Sequence, residues 1–141
     1  MSSLITAEKR KQLIDAAVAV KSKAYCPASH FPVGCAVLSR DGPIFVGCNV
    51  ENASYPCGSC AEVGAVANAV SQGHHNLIAA AVAADVEDTV TPCGKCRQVL
   101  AEFMLPESPI LLVNKRLRVE EMRLETLLPH SFKFEVLPGH K

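Results

Sequence analysis

Cys57 and Cys60 form one Cys-x-x-Cys pair, Cys93 and Cys96 form a second, and Glu62 follows Cys60 by two residues. Two such pairs suit a closed structural zinc site with four thiolates. A carboxylate beside a thiolate ligand suits a different chemistry. Three protein ligands leave a fourth position open to water, and a neighbouring acid can then take and return that water's proton. The two readings need different numbers of ligands. The stretch Ala61–Pro92 between the pairs is longer than the roughly 15–20 residues of compact zinc ribbons. Structural zinc also serves chains too short to build a core, and 141 residues are enough for one. A redox pair acting alone would leave Glu62 without a role. The catalytic reading takes Cys60, Cys93 and Cys96 as ligands and Cys57 as a spare thiol, with four-thiolate ligation as its rival. Soft sulfur ligands in tetrahedral geometry point to zinc.

These residues need elements that bring them together. Thr6 is a candidate N-cap for a helix running to Ala24, with Leu13, Ile14, Ala17, Val18 and Val20 on one face. "VGCAVLSRDGPIFVGCNVE" reads as two strands joined at Asp41-Gly42. "SCAEVGAVANAVSQG" is a small-residue helix ending near Gly73; "LIAAAVAAD" fits helix or strand on periodicity alone, and its place between two helix signals favours a buried strand. "PCGKCRQVLAEFM" opens a helix with Pro92 in its first turn. "SPILLVN" and "RLRVEEM" read as strands and "RLETLLPHSF" as a short helix or turn. The order αββαβαββα implies a central mixed sheet with helices on its faces. Cys60 and Cys93 then both sit where a helix starts. Unpaired N–H groups there favour negative charge and are expected to lower thiol pKa.

Composition narrows the function classes. Fourteen basic residues balance fourteen acidic ones, so no global field draws nucleic acid or an anionic membrane. The one basic cluster, "KRK" at 9–11, reads as a solvated helix face. No apolar run reaches the length of a membrane span, and "MSSLITAEKRKQ" lacks the order of a signal peptide. The expected location is the cytoplasm, where seven cysteines point to metal or catalysis rather than disulfides.

Asn49 and Glu51 are two apart, so on an extended strand they share a side and suit adjacent hydroxyls. A turn after the strand explains them equally well. Phe31, Tyr55 and Phe132 alone would be core residues. Among His30, His74, His75, His130 and His140 only His74-His75 are close in sequence, and that pair reads as a polar turn. Cys26, Cys35 and Cys48 read as fillers of small buried spaces.

"YCPASHFPVGCAVL", "GCNVENASYP", "CAE", "PCGKCRQVLAEF" and "LLPHSF" occur in that order between about Ala24 and Phe132. Together they resemble the cytidine deaminase family of the small, three-cysteine, homotetrameric kind. The resemblance implies a single domain over 1–141 with a three-layer α/β fold: a mixed five-stranded sheet and helices on both faces. It implies one zinc ion per subunit on Cys60, Cys93 and Cys96, with Glu62 as the proton shuttle. Asn49 and Glu51 match the pair that grips the ribose hydroxyls, and Phe31 the aromatic residue near the pyrimidine. The Ala61 backbone is expected to read the ring's edge and the Thr91 carbonyl to receive the departing amine. Tyr55 and Phe132 resemble residues that complete a neighbouring subunit's site. The partner is then a free nucleoside, not a nucleic acid or a membrane, and the assembly a homotetramer.

Three positions depart from that pattern. Val63 stands where relatives usually have arginine, which is thought to offset the thiolates' charge; Arg97 is the expected substitute. Ala28 stands where tyrosine is frequent, and "SFKFEVL" replaces the usual Gly-Pro after the phenylalanine. Phe134 is therefore expected to share the role of Phe132.

Overall fold

Period-two alternation along three strands decides which side chains meet which helices. The computed structural model describes residues 5–134; His140 and the end of "SFKFEVL" lie outside them. The strands are β1 (Val33–Ser39), β2 (Ile44–Cys48), β3 (Leu77–Ala84), β4 (Pro109–Val113) and β5 (Val119–Arg123), in the sheet order β2-β1-β3-β4-β5. β1 is antiparallel to β2 and β3, β3 is parallel to β4, and β4 is antiparallel to β5. The mixed five-stranded sheet is as expected.

Cys35, Val37, Ala80, Val82, Ile110 and Leu112 share a core with α2 (Ala61–Ser71), α3 (Gly94–Phe103) and the short α4 (Leu124–Leu127). Their neighbours Ala36, Leu38, Ala79, Ala81, Ala83, Leu111 and Val113 pack instead with Leu13 and Ala17 of α1 (Ala7–Lys21). Three layers result, with α1 on one side and the three other helices opposite. At Gly47 the α2 layer touches β2 backbone to backbone: a Cβ there would lie 2.3 Å from the Ala65 nitrogen.

Local chemistry sets the boundaries. Thr6 caps α1 by accepting the Lys9 N–H at 3.1 Å. The helix stops at Lys21, short of the expected Ala24. The Ser22 and Lys23 N–H groups turn back to the Ala19 and Val20 carbonyls, and Tyr25 leaves to pair with Val50. α2 ends in a Schellman turn, with the His74 N–H on the Ala69 carbonyl and the Gly73 N–H on that of Val70. Gly73 takes the required left-handed conformation at φ +92°. His74 does more than mark a polar turn: its Nδ1 is 2.9 Å from Ser39 Oγ and its ring stacks at a tilt on Phe45, centroids 5.0 Å apart.

α3 starts two residues later than expected, at Gly94, with Cys93 as N-cap and Pro92 ahead of the helix. The Pro92 carbonyl is held by Arg97 Nε at 2.7 Å, and the first helical hydrogen bond runs from the Arg97 N–H to the Cys93 carbonyl. β5 starts at Val119 because Asn114 Oδ1 accepts the Arg116 and Arg118 N–H groups and folds that stretch into a turn. The "KRK" residues are individually engaged: Lys9 on the Gly42 carbonyl, Arg10 near Glu121, Lys11 on Asp15. Of the three cysteines read as buried fillers, Cys35 is fully buried, whereas Cys26 and Cys48 are half-buried.

Candidate active site

Cys60 and Cys93 are the N-caps of α2 and α3, and neither makes the side-chain hydrogen bond a cap usually supplies. Serine, threonine, asparagine or aspartate would normally stand there. Cysteine at both positions breaks a local rule, which is what a functional site does. Cys96 lies in the first turn of α3. The sulfurs of Cys60, Cys93 and Cys96 all lie within 4.8 Å of one another, Cys93 and Cys96 at 3.5 Å. Tetrahedral zinc with Zn–S bonds of about 2.3 Å needs sulfurs about 3.8 Å apart, so the donor set fits in type and spacing.

The helix-start argument holds for only one of the two caps. The Cys93 thiol is pulled below its ordinary pKa, first by the Cys96 backbone N–H and also by that of Lys95. The Cys60 thiol is raised, because burial outweighs the favourable contact with Cys96. Burial, followed by the Glu62 charge, raises the Cys96 thiol strongly. Three thiolates beside a carboxylate therefore need a cation, and a divalent metal ion supplies it.

Glu62 is in the first turn of α2, 5% exposed, with Oε1 3.4 Å from Cys96 Sγ. Burial raises its carboxyl above the usual range, the direction that eases proton uptake. Glu62 and the three cysteines line a cavity of about 300 Å³, the lower end of small-molecule sites. Phe31, Asn49, Glu51, Ala61 and Thr91 also line it. Sequence reasoning missed Ser29, Val33, Val82, Ala84, Val90 and Pro92, which complete its wall.

Asn49 and Glu51 stand on an extended segment, not in a turn. Val50 between them exchanges both backbone hydrogen bonds with Ser59, while Tyr25 bonds to Asn49 and Glu51 from the other side. This small ribbon puts Asn49 and Glu51 beside Cys60. Both side chains also grip the segment before β1. Asn49 Oδ1 accepts the Val33 N–H at 2.8 Å and Nδ2 donates to the Phe31 carbonyl at 2.9 Å. Glu51 Oε1 accepts the Ala28 and Ser29 N–H groups at 2.8 and 3.1 Å, and Oε2 accepts the Ser29 hydroxyl. Those bonds, the hydroxyl first, hold the Glu51 carboxyl below the usual range.

Tyr55 and Phe132 are not part of that lining. They are 79% and 57% exposed, which overturns their reading as core residues. Tyr55 sits on an adjoining depression with Ala28, Asn49, Glu51 and Cys60, and Phe132 is tied to α3 by Gln98 Nε2 on its carbonyl. Phe134 is exposed as well. Arg97 turns its guanidinium to three oxygens: the Pro92 and Leu127 carbonyls and Thr91 Oγ1, at 2.7, 2.6 and 2.8 Å. It thereby pins the Thr91-Pro92 segment, a use the sequence reading did not foresee.

Val63 is half-buried beside Glu62 in the first turn of α2. A guanidinium introduced there favours the ionised form of nearby acids. Val63→Arg is therefore expected to move the acidic limb of the rate–pH profile to lower pH. An unchanged profile would show that residue 63 does not tune the centre.

Comparison with known proteins agrees with this geometry. Residues 7–112 match the family described as the cytidine and deoxycytidylate deaminase zinc-binding region. The cytidine deaminase of Sporosarcina psychrophila is 45% identical over 127 residues, 90% of this chain and 93% of that protein. The crystal structure of cytidine deaminase from Burkholderia pseudomallei has a TM-score of 0.83 at 40% identity, covering 91% of this chain and 100% of that one. That of the Mycobacterium tuberculosis enzyme has a TM-score of 0.75 at 39% identity, covering 87% and 96%. Similarity of this extent, in sequence and in fold, shows that the chain belongs to the zinc-binding cytidine and deoxycytidylate deaminase family.

Proposed function

We propose that the protein hydrolyses cytidine and deoxycytidine to uridine and deoxyuridine, releasing ammonia, as a step of pyrimidine salvage. The observation that carries this reading is the buried Glu62 carboxylate, 3.4 Å from a sulfur of the three-cysteine cluster at the wall of a small-molecule cavity. Cys60, Cys93 and Cys96 would hold one zinc ion per subunit. When bound, zinc supplies the Lewis acidity that makes water a nucleophile near neutral pH.

The chain's own groups do the rest. Glu62 takes the attacking water's proton, delivers it to ring N3, and assists the departure of the amine from C4. Phe31 packs near the pyrimidine, the Ala61 backbone reads the ring's edge, and the Thr91 carbonyl accepts the leaving ammonia. Arg97 keeps Thr91 in place. Asn49 and Glu51 hold the sugar. One deaminase domain spans 1–141, and a cytoplasmic homotetramer is the working form. The exposed rings of Tyr55 and Phe132 support that assembly, since each is free to enter a neighbouring subunit's site. Among the described residues no helix is long and apolar enough to cross a membrane.

Cys57 is exposed and lies outside the cluster of three close sulfurs. The native protein and Cys57→Ser are therefore expected to release ammonia from saturating cytidine at rates within about twofold. A zinc-loaded native protein that releases none would overturn cytidine as substrate. Activity in the variant alone would make Cys57 a fourth ligand.

A further inference from the structure

Phe31, on the cavity wall, belongs to a segment with a sharp bend. His30, just before it, has φ +56°, a left-handed conformation unusual for a residue with a side chain. Such a bend persists only where its surroundings over-determine it. The His30 N–H donates to the Cys26 carbonyl at 2.9 Å, and the other restraints come from the cavity itself. Ser29 Oγ accepts the Phe31 N–H at 3.1 Å while donating to Glu51 Oε2. Asn49 Nδ2 takes the Phe31 carbonyl. Both backbone groups of Phe31 are thus fixed by residues that line the cavity.

A carboxylate offers about four acceptor directions, two on each oxygen. The Ala28 and Ser29 N–H groups occupy Oε1, and the Ser29 hydroxyl occupies one direction on Oε2. The remaining acceptor direction lies on the oxygen that Ser29 orients. From this geometry we infer that Ser29 is a positioning residue for the sugar end of the site: its hydroxyl aims Glu51 Oε2 and couples it to the placement of Phe31. The inference rests on the reading of Asn49 and Glu51 as the sugar-holding pair. Ser29 itself is exposed and belongs to neither major core cluster, so its removal spares the packing.

The test pairs a variant with a truncated substrate. Ser29→Ala is expected to lower kcat/KM for cytidine about tenfold, mainly through KM, as the loss of a charge-assisted hydrogen bond would. With 2′,3′-dideoxycytidine, which has no 2′- or 3′-hydroxyl for Glu51 to receive, the same variant should keep only the smaller loss that comes through Phe31, about two- to threefold. Ser29→Thr keeps the hydroxyl and is expected to restore the native preference between the two substrates. An equal loss on both substrates, in a native protein that prefers cytidine, would make Ser29 merely structural and overturn the inference. So would no loss on either. A native protein indifferent to the sugar hydroxyls would instead remove the sugar role of Asn49 and Glu51, and the inference with it.

Discussion

Glu62→Gln is expected to lower kcat on cytidine by about 10²–10⁴-fold while leaving zinc content and melting temperature near those of the native protein. The magnitude is what a positioned general acid/base contributes. Glutamine keeps the length and hydrogen-bonding shape of the side chain but cannot accept and return a proton. Glu62 is not among the three clustered sulfur donors, so the ligand set is untouched. It is 5% exposed and shielded from bulk solvent, so outside buffer cannot readily take over its work. Burial also raises its proton affinity, and a neutral amide at that position removes a buried charge rather than adding one. Stopped turnover with retained zinc, measured by metal analysis and single-turnover kinetics, would fix the role. Loss of zinc in the variant would instead make Glu62 a support of the metal site.

The second large effect comes from one added methyl group. Gly47→Ala would place a Cβ 2.3 Å from the Ala65 nitrogen, 2.7 Å from the Ala61 carbonyl oxygen and 2.7 Å from the Gly64 carbonyl carbon. All three are backbone atoms of α2, so no side-chain rotation relieves the clash and the helix must move. Overpacking of this kind costs about 1–3 kcal/mol or more, which for a chain of this size is a fall in melting temperature of roughly 3–10 °C. Moving α2 also carries Cys60 and Glu62 away from Cys93 and Cys96. Misplacement by about 1 Å is enough to cost around 10²-fold in rate. Gly94→Ala is the control, because a Cβ there meets nothing within 4 Å. Thermal melts of the two variants should differ sharply. Equal melts would mean that β2 and α2 can separate without strain.

Why some of this was legible in the sequence and some was not follows from the kind of signal involved. The hairpin around Asp41-Gly42 has a turn signature, and the strand at 77–84 follows from its place between two helices rather than from its period; the structure has both. The clustering of Cys60, Cys93 and Cys96 beside Glu62 was legible because metal chemistry dictates residue type and helix starts dictate spacing. The Tyr25–Val50–Ser59 ribbon was not, since pairings of single residues leave no periodicity. Nor were the acceptors of Arg97, two of which are backbone carbonyls that any sequence could offer. Ser29 carried one faint sign, a serine two residues before a cavity aromatic, the spacing of a side-chain turn. The exposure of Tyr55 and Phe132 ran against their hydrophobicity, because side chains of such rings are ordinarily buried.

The cavity is built from two unlike materials. Its metal-binding side consists of two helix starts braced against a sheet. Its opposite side is an irregular segment, 26–32, held in shape with the start of β1 by Asn49 and Glu51. The two can change at different rates over evolutionary time. Substitutions in the irregular wall can shift which sugar or ring substituent is admitted, while the helix-borne reaction centre stays intact. Selection for a new aminated nucleoside would therefore act first on residues 26–32, leaving the cysteines and Glu62 as the inherited constant.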